Sequence, residues 1–183
     1  MELMDALRSR RAVREFTNEP LDNGLIEDLI EAAILAPSAV NRQPWAFAVV
    51  NGRERLHMLS ADAKRHALHH LPPDSPLLGH LADVAFEVFH GASALVIICA
   101  VDDQMQSAED CCLAGGNFML AAHSRGLGTC WIGLSRAWLN EPATKATLAI
   151  PTSWRPVAPI ALGHCKTRPQ PTPREKAKIV WCR

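Results

Sequence analysis

Two patterns of apolar residues alternate along the chain: segments in which they recur with a helical period, and short segments in which they are consecutive. Where apolar residues recur every three or four positions, the pattern is typical of an amphipathic helix. On this basis helices are predicted over residues 1–10, 22–36, 53–69 and 107–125, with one more leading into the run at 95–101 and another beginning at Glu141-Pro142. Asp22 is the predicted N-cap of the second helix, and Pro37 ends it.

Three unbroken apolar runs, at 46–51, 95–101 and 157–165, predict buried β-strands, and a fourth short strand is expected after Gly126. The proline-rich stretch at 69–79 predicts a loop. Three more prolines near the end of the chain predict an extended tail over residues 166–183, because such a stretch cannot continue as a helix. Helices interleaved with strands, without an internal repeat or linker, indicate one α+β domain over residues 1–183.

Composition places the chain among globular proteins large enough to build a hydrophobic core. It has 183 residues, of which 48% are hydrophobic and 21% charged. The longest apolar run is about half the length of a membrane span, and no secretion signal is recognisable. We therefore expect a soluble, cytoplasmic protein with no membrane partner. Its six cysteines form no CxxC pair and are expected to be reduced and mostly buried.

Charge is balanced overall but concentrated at the two ends of the chain. Nineteen Lys and Arg oppose nineteen Asp and Glu, which disfavours nucleic acid as a partner. The stretch "RSRRAVREF" at 8–16 nevertheless holds four arginines, and residues 166–183 hold six further cations beside the single acid Glu175. Guanidinium groups match phosphate oxygens in charge and geometry, so converging ends would form an anion site. The alternative is that the arginines complement the dipole of a helix end.

Two other segments could contact a ligand. "PSAVNRQPW" at 37–45 places neutral donors and acceptors beside Trp45, which suits a heterocycle or, alternatively, an ordinary polar connection between a helix and a strand. "GLGTCWIG" at 126–133 would let its backbone approach a flat ligand, although a helix cap also explains Gly126.

Several common sites are disfavoured by missing patterns. No GxGxxG follows a predicted strand, which argues against a dinucleotide-binding fold. The GxSxG motif is also absent, so a hydrolase triad is not supported. His66, His69 and His70 share one helix face but have no cysteine or carboxylate at a metal-ligand spacing, so no metal site is predicted.

Four segments, taken in order, resemble the nitroreductase family of flavin enzymes. They are "SRRAVREF", "APSAVNRQPWAFAVV", "GNFMLAAHSRGLGTCWIG" and "PIALGH", the last followed by a proline-rich basic tail, and they span almost the whole chain. The resemblance implies a nitroreductase-like three-layer α/β/α sandwich whose central, mostly antiparallel sheet is flanked by helices. It also implies a homodimer with FMN at the interface and with the 166–183 tail wrapping the partner subunit.

The resemblance assigns the cationic ends to the cofactor. Arg10, Arg11 and Arg14 look like the arginines that hold the FMN phosphate and ribityl chain. Ala12 stands among them where many relatives have a serine, which implies one missing hydroxyl contact. Arg174 looks like the tail cation that returns to the phosphate.

The remaining cofactor contacts implied by the resemblance come from two backbone segments. Ile132 and Gly133 resemble the stretch that faces N5 of the flavin. The segment that approaches FMN from the partner subunit corresponds to Pro37, Ser38, Ala39 and Asn41.

The implied activity is that of an FMN-dependent oxidoreductase. NADPH or NADH would deliver hydride to the flavin, and a nitroaromatic, quinone or similar acceptor would then take its place, with no side chain acting as a nucleophile. Residues 60–91 are shorter than in larger relatives and offer no counterpart to a lysine at the flavin pyrimidine edge. Two alternatives therefore stay open: a flavin-binding protein without turnover, and a family member with desaturase or reductive dehalogenase activity.

Overall fold

One four-stranded sheet forms the centre of the computed structural model, which describes residues 1–170 and 172–182. The strands are β1 (Trp45–Asn51), β2 (Ala94–Ala100), β3 (Leu127–Trp131) and β4 (Arg155–His164). Their order across the sheet is β1-β2-β4-β3, and every neighbouring pair is antiparallel. The predicted strands and the predicted antiparallel sheet are confirmed.

Seven helices surround this sheet: α1 (Leu3–Ser9), α2 (Asn23–Ile34), α3 (Arg53–His70), α4 (Leu78–Ala82), α5 (Met105–Ser124), α6 (Arg136–Asn140) and α7 (Pro142–Thr147). The count refers to the described part of the chain. The carboxylate of Asp22 accepts a hydrogen bond from the backbone N–H of Leu25, as expected of an N-cap. Pro142 opens α7, where its missing N–H leaves no helical bond unmade.

Two hydrophobic clusters cover the two faces of the sheet. Alternate residues of β2 enter different clusters, with Leu95 and Ile97 on the side of α3 and α6 and Val96 and Ile98 on the side of α2 and α5. Every residue of β2 is buried because helices cover both faces, which explains its unbroken apolar run. The three-layer α/β/α arrangement is therefore confirmed.

Two details differ from the sequence prediction. The helix expected before β2 is reduced to the five residues of α4, followed by turns in which His90 and Gly91 have positive φ angles. The second concerns α1, whose Leu3 and Leu7 are 66% and 50% exposed although they form its apolar face. Within the described part of one chain, these two side chains stay exposed.

The segment after α1 lies against the edge strand β3 and the end of β4. The backbone N–H of Val13 donates to the Thr129 carbonyl at 2.9 Å, and Phe16 bridges to Cys165. Gly128 allows this approach, because a Cβ at that position would lie 2.8 Å from Cγ1 of Val13. The start of the tail follows the same edge, with Lys166 N–H donating to the Glu15 carbonyl at 3.0 Å. The two cationic ends of the chain thus lie side by side.

Candidate functional site

Arginines from both ends converge beside β3. Burial, and then the neighbouring charges of Arg11 and Arg174, lower the pKa of Arg10. Burial raises the pKa of Cys130 in β3, and the charges of Arg14 and Arg10 oppose that rise. The first turn after α1 and the extended tail therefore contribute to one positively charged region.

No carboxylate in the described part of the chain forms an ion pair with Arg10, Arg11 or Arg14, nor with Arg168 or Arg174 of the tail. Like charges held close together repel one another, and partial burial strengthens that repulsion. A bound anion would remove it. The donor set is the one that phosphate groups prefer in proteins, so the arrangement fits the phosphate of a nucleotide.

Arg11 differs from its neighbours in where its side chain lies. Its Nη1 donates to the carbonyls of Arg8 and Arg10, both at 2.7 Å. These carbonyls lie at the end of α1, so Arg11 satisfies groups that the helix itself leaves unpaired. Arg11 therefore fits the interpretation that the arginines complement a helix end. Arg10 and Arg14 are available to a ligand, as the interpretation of an anion site requires.

A cavity of about 480 Å³ opens at the end of β3, next to Arg14. Trp131, Ile132 and Gly133 line one side of it, and Phe86 and His90 line another. This volume lies within the range of pockets that hold organic ligands. A largely apolar lining that includes the guanidinium of Arg14 suits a flat ring that carries an anionic tail.

His90 was not singled out by the sequence, yet it belongs to this wall. Its ring stands edge-on to Phe86, with centroids 5.9 Å apart, and its backbone has a φ of 54°. Burial, followed by the charge of Arg14, lowers the pKa of His90, so the ring is neutral at pH 7. Its position depends on a turn conformation that no periodic pattern reveals.

The loop predicted to approach the flavin has a strained backbone. Val40, Asn41 and Gln43 have φ angles of 45°, 56° and 51°, and a β-branched residue seldom adopts such a conformation. Ser38 Oγ accepts a hydrogen bond from the Gln43 backbone at 2.9 Å. Strain of this kind persists where surrounding contacts hold it, and it concentrates at functional sites.

Asp110 of α5 fixes the other end of this loop. The backbone N–H of Ala39 donates to both carboxylate oxygens of Asp110, each at 3.3 Å, and Asp110 is only 3% exposed. Pro37 precedes this contact on the exposed surface. The sequence offered no signal for Asp110, because one acid within a helical pattern is ordinarily solvent-exposed.

Helix α5 separates this loop from the arginines. The loop contacts α5 at Asp110, whereas Ser9, beside Arg10, contacts it at His123, with Ser9 Oγ and His123 Nε2 2.7 Å apart. Thirteen residues of helix at 1.5 Å each place these contacts about 20 Å apart. One copy of the chain therefore does not bring the 37–41 loop to its own arginines.

The six cysteines differ in how deeply they are buried. Cys99, Cys111 and Cys130 are buried, and burial raises the pKa of Cys99 and of Cys111 to about 12. Cys112 and Cys182 are exposed, contrary to the expectation for apolar runs. All six cysteines are free.

The histidine face of α3 contacts a carboxylate that the sequence pattern did not place beside it. His66 stacks on His70 with centroids 4.0 Å apart, and its Nε2 lies 3.4 Å from Glu141. Across the described residues, no group of three such side chains has a geometry that could hold a metal ion. None of the helices in the same residues has both the length and the apolar character needed to cross a membrane.

Similar proteins agree with this architecture. The Nitroreductase family model matches residues 7–164. A nitrobenzene nitroreductase from Ectopseudomonas oleovorans is 29% identical over 87% of this chain and 85% of its own length. The FMN reductase [NAD(P)H] of Bacillus subtilis is 28% identical over 98% of this chain and 72% of its own length.

A solved structure extends the likeness to three dimensions. The crystal structure of a nitroreductase with bound FMN from Desulfitobacterium hafniense superimposes with a TM-score of 0.86 and 25% identity, over the full length of both chains. The antiparallel sheet, the covering helices and the match over residues 7–164 all lead to one conclusion. The chain belongs to the nitroreductase family.

Proposed function

We propose that two copies of this nitroreductase-type oxidoreductase bind FMN between them. The observation that carries the proposal is the group of arginines beside the cavity at the end of β3, which form no ion pair within the part of the chain that the structure describes. The FMN bound in the Desulfitobacterium hafniense nitroreductase and the FMN reductase of Bacillus subtilis support it. FMN supplies hydride-transfer chemistry when it is bound.

Each predicted residue has a role in this arrangement. Arg10, Arg14 and Arg174 hold the phosphate and the adjoining chain, and Arg11 fixes the segment between them through the carbonyls of Arg8 and Arg10. Ala12 adds no hydroxyl, so the arginines provide the polar contacts there. The backbone at Ile132 and Gly133 lies beside the flavin ring. From the other copy, the ring is approached by Pro37, Ser38, Ala39 and Asn41.

The homodimer is supported by exposed apolar side chains around the 37–41 loop. Leu35, Val40 and Leu113 are 80%, 91% and 49% exposed. A Cβ at Gly116, on the exposed side of α5, would have no atom within 4 Å, which leaves room for another helix to approach closely. In the tail that would wrap the partner, Trp181 is 84% exposed. We propose residues 1–183 as one FMN-binding domain whose 166–183 tail completes this interface.

A charge placed on α5 tests the interface. Leu113→Glu is expected to dissociate the dimer and to release FMN with it, because a carboxylate would be buried without a partner. Analytical ultracentrifugation with detection of flavin absorbance measures both effects together. Met58→Glu, at another exposed apolar position, on α3, is the control and should stay dimeric. A Leu113→Glu protein that remains dimeric and yellow would contradict the proposal.

NADPH or NADH is the proposed hydride donor, and a nitroaromatic or quinone is the proposed acceptor. The largely apolar lining of the cavity limits contact of the reacting face with water, and Arg14 in that lining orients an anionic ligand. No nucleophilic side chain is required of the chain. The cytoplasm is the proposed compartment, since its reducing conditions keep six free cysteines as thiols.

Reduction of the bound cofactor tests the activity. When the FMN-loaded protein is mixed anaerobically with NADPH or NADH, the visible absorbance of the flavin is expected to disappear during the stopped-flow measurement. Adding a nitroaromatic or a quinone should restore that absorbance. Stopped-flow spectrophotometry measures both halves. Flavin that stays oxidised with both donors would contradict an oxidoreductase and favour a flavin-binding protein without turnover.

A further inference from the structure

One face of helix α3 carries polar side chains that all contact the turns between α4 and β2. They recur at spacings of four, three and four residues, which places them on the same side of a helix. These residues, called here the α3 polar face, are Arg53, His57, Ser60 and Lys64. The turns that they contact, residues 83–91, are called the wall segment.

The middle of the wall segment is held by two residues of α3. The ammonium group of Lys64 donates to the carbonyl of Asp83 and, at 3.3 Å, to that of Phe86. Ser60 Oγ accepts a hydrogen bond from the backbone N–H of Val88 at 2.6 Å. Ser60 and Val88 are 3% and 1% exposed, so this N–H would be costly to leave unpaired. The backbone of the wall segment therefore depends on side chains of α3.

The end of the wall segment is held by the other two residues of the α3 polar face. His57 Nδ1 lies 2.7 Å from Oε1 of Glu87, and Nη1 of Arg53 donates to the Gly91 carbonyl at 2.7 Å. A Cβ at Gly91 would lie 2.8 Å from Nη2 of Arg53, so this close approach requires glycine. The positive φ angles of His90 and Gly91 thus occur where contacts from α3 hold the backbone in place.

The other side of the wall segment lines the cavity at the end of β3. Phe86, Val88 and His90 belong to that lining, whereas no residue of the α3 polar face is among its described lining residues. Lys64 and Ser60 bind the backbone of Phe86 and Val88, whose side chains face the cavity. The α3 polar face therefore acts on the cavity through the wall segment.

We propose that Lys64 and Ser60 are positioning residues that determine which aromatic acceptors the cavity admits. The inference rests on the proposed function, under which the acceptor binds in this cavity. By fixing the backbone at Phe86 and Val88, the two residues keep the side chains of Phe86 and His90 at a set distance from β3. That distance limits the width of an aromatic acceptor. Without these hydrogen bonds, the wall segment moves away from β3 and wider acceptors fit better.

Comparison of a one-ring and a two-ring acceptor tests this role. For the FMN-loaded protein, kcat/KM is measured with nitrobenzene and with nitronaphthalene. Lys64→Met is expected to change the ratio of the two values by about tenfold in favour of nitronaphthalene, because small differences in fit to a pocket have effects of that size. Ser60→Ala should change the ratio in the same direction. A ratio equal to that of the parent in both variants would overturn the inference.

Two further variants separate positioning from loss of charge. Lys64→Arg keeps a cation that can donate to the same carbonyls and should retain the ratio of the parent. Arg65→Met removes the next cation of α3, an exposed one paired with Asp62, and should retain it too. General destabilisation would lower turnover of both acceptors alike and leave the ratio unchanged. A shift in Arg65→Met as large as that in Lys64→Met would contradict a specific role for Lys64.

Hydrogen exchange gives a readout that does not depend on turnover. In the Lys64→Met protein the amides of the wall segment are expected to exchange faster than in the parent, while those of β2 keep their rates. Unchanged exchange in the wall segment would overturn the inference. A parent protein that reduces neither nitro compound would contradict the proposed function, yet the exchange rates would still decide whether Lys64 fixes the cavity wall.

Discussion

Replacing Arg10 and Arg14 together by alanine is expected to weaken FMN binding by about 10²- to 10⁴-fold. Each charged hydrogen bond contributes about 1.5–3 kcal/mol, and each 1.4 kcal/mol or so corresponds to a factor of ten. Neither guanidinium is engaged in an ion pair within the described residues, so the loss would fall on ligand binding. Titration of the apoprotein with FMN, followed by flavin fluorescence, measures it.

The stability of the same apoprotein distinguishes binding from a structural role. Removing two unpaired cations relieves repulsion, so the double variant without FMN should unfold at a temperature equal to or above that of the parent. Arg55→Gln, at an exposed arginine on α3, is the control and should leave FMN affinity unchanged. Unchanged flavin retention by the double variant after dialysis would place the phosphate elsewhere.

Phe118→Ala is expected to lower the free energy of unfolding by about 3–5 kcal/mol. Phe118 is fully buried on the face of α5 that packs on the sheet, in the cluster that includes Ile98 and Ile160. Removing the ring leaves a cavity that rigid strands cannot close. Urea unfolding of the apoprotein measures the change.

An exposed position on the same helix provides the comparison. Glu109→Ala is expected to change the free energy of unfolding by less than about 0.5 kcal/mol, as surface substitutions usually do. If Phe118→Ala changed the free energy of unfolding as little as Glu109→Ala, the packing of α5 on the sheet would not be as described.

Local patterns predicted the helices and strands well, because the side of an element that is buried determines the spacing of its apolar residues. β2 reads as one apolar run since helices cover both of its faces, and α2 reads as amphipathic since it lies on the surface. The 71–91 region was less predictable. Its conformation depends on turns with positive φ at His90 and Gly91, not on a period.

The site was predictable only in part, and the reason is that its residues are assembled by tertiary contacts. The arginine cluster and the 37–41 loop are visible in the sequence as unusual local compositions. Asp110, which holds Ala39, and His90, which lies near Arg14, have no such local signature. Nor could spacing alone reveal that Arg11 binds the carbonyls at the end of α1 while Arg10 and Arg14 form no ion pair within the described residues.

If FMN binds between two copies as proposed, the distance of about 20 Å that α5 sets between its contacts at Asp110 and His123 would make cofactor retention depend on protein concentration. Under the proposed function, a solitary chain offers FMN its arginines but not its loop. Dilution would therefore strip flavin from the enzyme, and abundant FMN would draw subunits together, because a ligand favours the form that binds it. Flavin supply and enzyme assembly would then regulate each other without any further component.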